Sequence, residues 1–81
     1  MKIEVRLLAS LRNAAGRGTV TLELPPGATL DDAITCLLGE IPALREHVPM
    51  WHLAVNGTHA ERDAVLQPGD QISIFPYIAG G

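Results

Sequence analysis

From the amino terminus, apolar and polar residues alternate, with Ile3, Val5 and Leu7 on one side and Lys2, Glu4 and Arg6 on the other. A period of two is the pattern of a half-buried strand. Ala9 to Ala15 has helical composition and stops at Gly16, which predicts a short helical turn. Alternation resumes at Thr19 to Leu24, with Val20, Leu22 and Leu24 on one face. The short link through Arg17-Gly18 predicts that these two strands form a hairpin-like pair. Pro25-Pro26-Gly27 ends the second strand, because proline has no N–H to donate to a ladder.

The period then changes to that of a helix, with Leu30, Ala33, Ile34, Leu37 and Leu38 on one face. Thr29 stands at the N-cap position, Asp31 and Asp32 lie in the positive first turn, and Gly39 is expected to stop the helix. Pro42 to Glu46 reads as another short turn. Leu53-Ala54-Val55 reads as a strand, Asn56-Gly57 as a tight hairpin turn, and Thr58 to Ala60 as the return. After a turn at Gln67-Pro68-Gly69-Asp70 comes the last strand, Gln71 to Phe75, ended by Pro76. Ile72 and Ile74 face one way; Phe75 shares the opposite face with Gln71 and Ser73. One main helix covering one apolar sheet face gives a two-layer α+β domain.

Composition narrows this only a little. A chain of 81 residues with 47% hydrophobic and 19% charged residues is one folded domain. The net charge of -3 is interspersed along the chain, and no basic run points to nucleic acid. Cys36 is the one cysteine, so no intramolecular disulfide forms, which fits a reducing cytoplasm. No apolar run approaches membrane-spanning length, and early charges interrupt any signal-peptide core. The expectation is a cytoplasmic protein with no membrane association.

The chemistry is concentrated at the end of the sequence. The division expected is a domain over residues 1–75 and an extended tail over residues 76–81, Pro76-Tyr77-Ile78-Ala79-Gly80-Gly81. Fully extended, six residues reach about 20 Å. Pro76 stiffens the exit, Tyr77 and Ile78 offer apolar anchors, and the glycines can thread a narrow channel because they have no Cβ. Two glycines alone equally describe a frayed end; their place directly after the last strand singles them out. Adenylation by ATP would turn the Gly81 carboxylate into a reactive acyl-adenylate, and a sulfur donor would then yield a nucleophilic thiocarboxylate.

The chain resembles the MoaD/ThiS family of ubiquitin-like sulfur carriers. The matching pieces are Leu7-Leu8-Ala9-Ser10-Leu11-Arg12, Leu24-Pro25-Pro26-Gly27-Ala28-Thr29-Leu30, Ala54-Val55-Asn56-Gly57, Leu66 to Pro76, and Ala79-Gly80-Gly81, in the family's order. The resemblance implies a ubiquitin-like β-grasp: a mixed sheet of four to five strands, first and last strands parallel at its centre, one main helix, and a free Gly-Gly tail. Length and the segment around Leu11-Arg12 are closest to the small subunit of molybdopterin synthase. That implies two partners, an E1-like adenylating enzyme that uses ATP and a large synthase subunit or other sulfur-acceptor enzyme. The carrier would bind no permanent cofactor and would not be an enzyme on its own. Asn13, Leu7-Leu8 and Tyr77 depart from the molybdopterin branch, so carriage for thiamine, cysteine or another metabolite stays open. So do a ubiquitin-like protein modifier and a β-grasp interaction module that never activates its tail.

The remaining residues have blander readings. Cys36 reads as a structural thiol on the helix. His47, His52 and His59 are too dispersed for a metal signature. Asp31-Asp32 reads as helix capping, and Asp63 and Asp70 as turn-shaping residues. Phe75 either forms a partner-binding patch with Leu7, Leu8 or Trp51, or covers the sheet edge. Arg12 either meets an acidic group on a partner or is solvated.

Overall fold

The alternating segments pair as the pattern requires. In the computed structural model, which describes residues 1–45 and 51–76, β1 (Lys2–Leu7) lies antiparallel to β2 (Thr19–Glu23), with Val5 opposite Val20 and Ile3 opposite Leu22. Between them α1 (Ser10–Ala15) makes its short helix and ends on Gly16 at φ 77, the left-handed cap that glycine adopts without a Cβ clash. Strand β5 (Gln71–Pro76) runs parallel to β1, with Val5 beside Ile72 and Leu7 beside Ile74. Its other edge is antiparallel to β3 (Trp51–Val55), which carries the two-residue β4 (Thr58–His59) through a hairpin. Asn56 at φ 51 and Gly57 at φ 84 make that turn. The five-stranded sheet has the order β2-β1-β5-β3-β4. With one main helix over one face, it is the ubiquitin-like β-grasp.

That helix, α2 (Leu30–Glu40), buries Leu30, Ala33, Ile34 and Leu37 against Ile3, Val5, Leu7, Val20, Leu22, Ile72 and Ile74. Its start is closed completely. The Leu30 and Asp31 amides donate to the carbonyls of Ala64 and Arg62 at 2.8 Å each, and the Asp32 amide donates to Thr29 Oγ1 at 3.2 Å. The Thr29 amide donates back to Asp32 Oδ2 at 2.9 Å, completing a capping box. The end of α2 departs from expectation. Gly39 lies inside the helix, which continues through Glu40 to a cap at Ile41. Ile41 is buried, and its amide donates to the Leu37 carbonyl at 2.8 Å, so burial carries the helix past the glycine. Residues 42–45 make a 3₁₀ turn, as expected for this segment; Glu46 and His47 lie outside the described residues.

Candidate functional site

β5 occupies the middle of the sheet and is bonded on both sides almost to its last residue. On one side the Leu8 amide donates to the Ile74 carbonyl at 3.0 Å, carrying the parallel ladder one step beyond β1. On the other, Trp51 pairs with Pro76 and His52 with Phe75. Pro76 is the last residue of β5. Tyr77, Ile78, Ala79, Gly80 and Gly81 lie outside the described residues.

Period two turns alternate residues of β5 to opposite faces. Ile72 and Ile74 enter the core, while Phe75 remains 38% exposed on the face that α2 does not cover. Its ring stacks on His52, with centroids 5.4 Å apart and planes 9° from parallel. Leu8, one residue beyond the Leu7–Ile74 pair, is level with Phe75 and 41% exposed. Leu8, Phe75 and His52 thus gather at the end of the open face, where the chain leaves β5.

Of the three residues offered as neighbours of Phe75, two do not join it. Leu7 is 1% exposed and points into the core, because the register that puts Leu8 on the open face must put Leu7 on the other. Trp51 shares the α2 side of β3 with Leu53 and packs against the core; its buried indole Nε1 has no hydrogen-bond acceptor among the described residues. His52 was not anticipated. Its alternation with Leu53 assigns it a face, but its place opposite Phe75 follows only from the β3–β5 register.

Arg12 projects from α1 near the same end. Two adjoining open hollows of about 300 and 310 Å³ share it. Arg6, Leu7, Leu8, Gly18 and Thr19 line the first with Arg12; Asn13, Gly16, Arg17 and Gly18 line the second. Charges interspersed along the chain are therefore unevenly spread in space: Arg6, Arg12 and Arg17, half of the six Lys and Arg residues, meet here. Arg6 Nε lies 3.6 Å from Glu4, and Arg17 lies 3.9 Å from Glu40. Arg12 has no ion pair among the described residues.

The other residues with potential chemistry serve the fold. Asp32 caps α2, Asp31 holds Arg62 at 2.8 Å, and Asp70 accepts from the Gln67 amide at 2.8 Å and from Asn56 Nδ2 at 2.9 Å. Cys36 is half-buried against the core. His59 lies 3.2 Å from Glu61, and no group of three metal-ligating side chains occurs among the described residues. Nor is any described helix long and apolar enough to cross a membrane.

The ThiS family model matches residues 5–81, from β1 through both terminal glycines. The chain belongs to the ThiS family. Among ThiS-like relatives, a molybdopterin synthase sulfur carrier subunit of Arabidopsis thaliana is 32% identical over 81 residues, covering 100% of this chain and 84% of that protein. The small archaeal modifier protein 1 of Haloferax volcanii is 33% identical over 87 residues, covering 98% of this chain and 100% of that one. A crystal structure of the Haloferax volcanii modifier superposes with a TM-score of 0.93 at 30% identity, covering 100% of both chains. This ThiS-family chain thus belongs to a ubiquitin-like family whose members include proteins named as sulfur carrier subunits and as modifier proteins.

Proposed function

We propose that the chain carries sulfur on Gly81, as the small subunit of a molybdopterin synthase-like complex. The observation that supports this most is the anchorage of β5. A central strand, bonded on both edges as far as Pro76, gives a Gly-Gly segment a fixed point of departure beside the exposed Leu8 and Phe75. A partner that docks on those side chains receives the segment in one direction, so the five residues after Pro76 need little search to reach its active site.

In this reading an E1-like adenylating enzyme docks on the open face and binds ATP. The Gly81 carboxylate attacks the α-phosphorus, pyrophosphate leaves, and a sulfur donor then displaces AMP from the acyl carbon. The product thiocarboxylate passes to a large synthase subunit, where it supplies sulfur to a pterin precursor in the cytoplasm. Gly80 lets the chain thread the partner's channel, and Phe75, Pro76, Tyr77, Ile78, Ala79 and Arg12 make the contacts outside it. The chain is a substrate of one enzyme and a subunit of another; it performs no reaction alone.

A second reading has a specific observation in its favour: a modifier protein is among its relatives and superposes over the full chain. Activation of Gly81 is the same, but the acyl group passes to a lysine amine of a target protein.

One experiment separates these readings. The protein is isolated from cells that hold its own partners and digested with trypsin, and the peptide Asp63 to Gly81 is weighed and fragmented. This peptide contains neither methionine nor cysteine, so sulfur oxidation cannot imitate the result. Replacement of one oxygen by sulfur at Gly81 is expected. Peptides joined through Gly81 to lysine, with no thiocarboxylate, would favour the modifier. An unmodified carboxylate, even with ATP, sulfur donor and the native adenylating enzyme supplied, would overturn both.

A further inference from the structure

Gly18 differs from the other described glycines. Gly16, Gly27, Gly57 and Gly69 have φ between +77 and +86, and a Cβ on any of them would meet nothing within 4 Å among the described residues. Those four are needed for their backbone angles. Gly18 is not in the left-handed region, so its backbone does not require glycine. Instead, a Cβ there would come within 3.1 Å of Arg12 Nε and 3.4 Å of Arg12 Cδ and Cζ. Arg12 occupies the space that a side chain at position 18 would fill.

We propose that Gly18 is a positioning residue, the shelf on which the Arg12 guanidinium lies so that it receives a carboxylate from the protein partner of this face. The proposal rests on the carrier reading above and adds to it the partner's chemistry and a residue that controls the contact. A guanidinium laid against backbone has lost part of its rotamer freedom before binding, so less is lost when it pairs. Arg6 and Arg17 already have Glu4 and Glu40 beside them, whereas Arg12 has no acidic neighbour within ion-pair distance among the described residues. The hollow beside it is lined by Arg6, Leu8 and Thr19 as well, and Leu8 is exposed. An aspartate or glutamate at the rim of an apolar docking surface fits this combination, because its carboxylate meets Arg12 while its neighbours cover Leu8.

The test uses the purified E1-like adenylating enzyme of the same organism, assayed by carrier-dependent ATP–pyrophosphate exchange. Arg12→Ala and Gly18→Val are each expected to raise the KM for the carrier roughly 5-fold with kcat unchanged, as for loss of one rim ion pair. Gly18→Ala, whose smaller side chain displaces Arg12 less, is expected to fall between wild type and Gly18→Val. The double variant Gly18→Val/Arg12→Ala is expected to match Arg12→Ala alone, because Gly18 acts only through Arg12. Added salt should raise the wild-type KM more steeply than that of Arg12→Ala. A wild-type KM for Gly18→Val, or effects that add in the double variant, would overturn the proposal while leaving the carrier reading intact. If wild type supports no exchange, the carrier reading fails and this inference with it.

Discussion

His52 on β3 and Phe75 on β5 face each other across an antiparallel pair on the uncovered side of the sheet, their rings 5.4 Å apart and 9° from parallel. The stack holds the Phe75 ring where the chain leaves the central strand. An exposed phenylalanine with a preset orientation has less freedom to lose on docking than a mobile one.

Replacing Phe75 should therefore separate folding from function. Phe75→Ala is expected to lower stability by about 1 kcal/mol, the scale of an aromatic cross-strand pair. It should raise the KM for the adenylating partner by about 10-fold, as expected of a modest interface anchor. Urea denaturation read beside exchange kinetics checks both, and a stability loss with unchanged KM would assign Phe75 to the fold alone.

Neighbouring leucines should behave oppositely. Leu7 is 1% exposed and Leu8 41%. Leu7→Ala should cost about 2–5 kcal/mol, because it empties a packed core position. Leu8→Ala should cost about 0.5 kcal/mol or less and weaken docking. Chemical denaturation of the two variants, compared with their partner affinities, tests the assignment of faces.

The capping box makes Thr29 the most sensitive polar residue of α2. Thr29→Ala removes the acceptor for the Asp32 amide and is expected to cost about 1 kcal/mol. In a domain of this size that lowers Tm by about 4–8 °C. Calorimetry measures it directly; an unchanged Tm would mean that the Ala64 and Arg62 carbonyls secure the helix start unaided.

Two glycine-to-alanine changes should have opposite signs. Gly39 lies within α2, exposed, and an added Cβ would meet nothing within 4 Å among the described residues, so Gly39→Ala should stabilise by about 0.5–1 kcal/mol. Gly57 sits at φ 84 in the hairpin turn, so Gly57→Ala should destabilise by about 1 kcal/mol. Paired melting curves show whether the helix continues past Gly39.

Deleting Gly80 and Gly81 should leave the denaturation midpoint unchanged, since two glycines bury little apolar surface. It should abolish sulfur loading and adenylation. Retained activity in the truncated protein would identify an interaction module that works through its sheet face.

Most of the fold was legible because local rules and burial agree along this chain. Alternation marks β1, β2 and β5, helical spacing with Thr29 marks α2, and Asn56-Gly57 marks the hairpin. Gly39 misled because a glycine near a helix end usually stops it, whereas burial of Ile41 held the next turn. Leu7 lies in the core with Ile3 and Val5, as its alternation places it, which leaves Leu8 as the leucine of the open face. Which residue of β3 lies beside Phe75 depends on the β3–β5 register, a long-range pairing, and that register sets His52 rather than Trp51 opposite it.

The sequence by itself determined the α+β class, the strand faces, the helix cap and the glycine pair after the last strand, because each is set by residues close together in the chain. Tertiary structure alone decided that His52 stacks on Phe75, that Arg6, Arg12 and Arg17 converge, and that Gly18 makes room for Arg12. Those contacts join separate elements, and only the parallel pairing of β1 with β5 and the packing of α1 beside them bring the residues within reach.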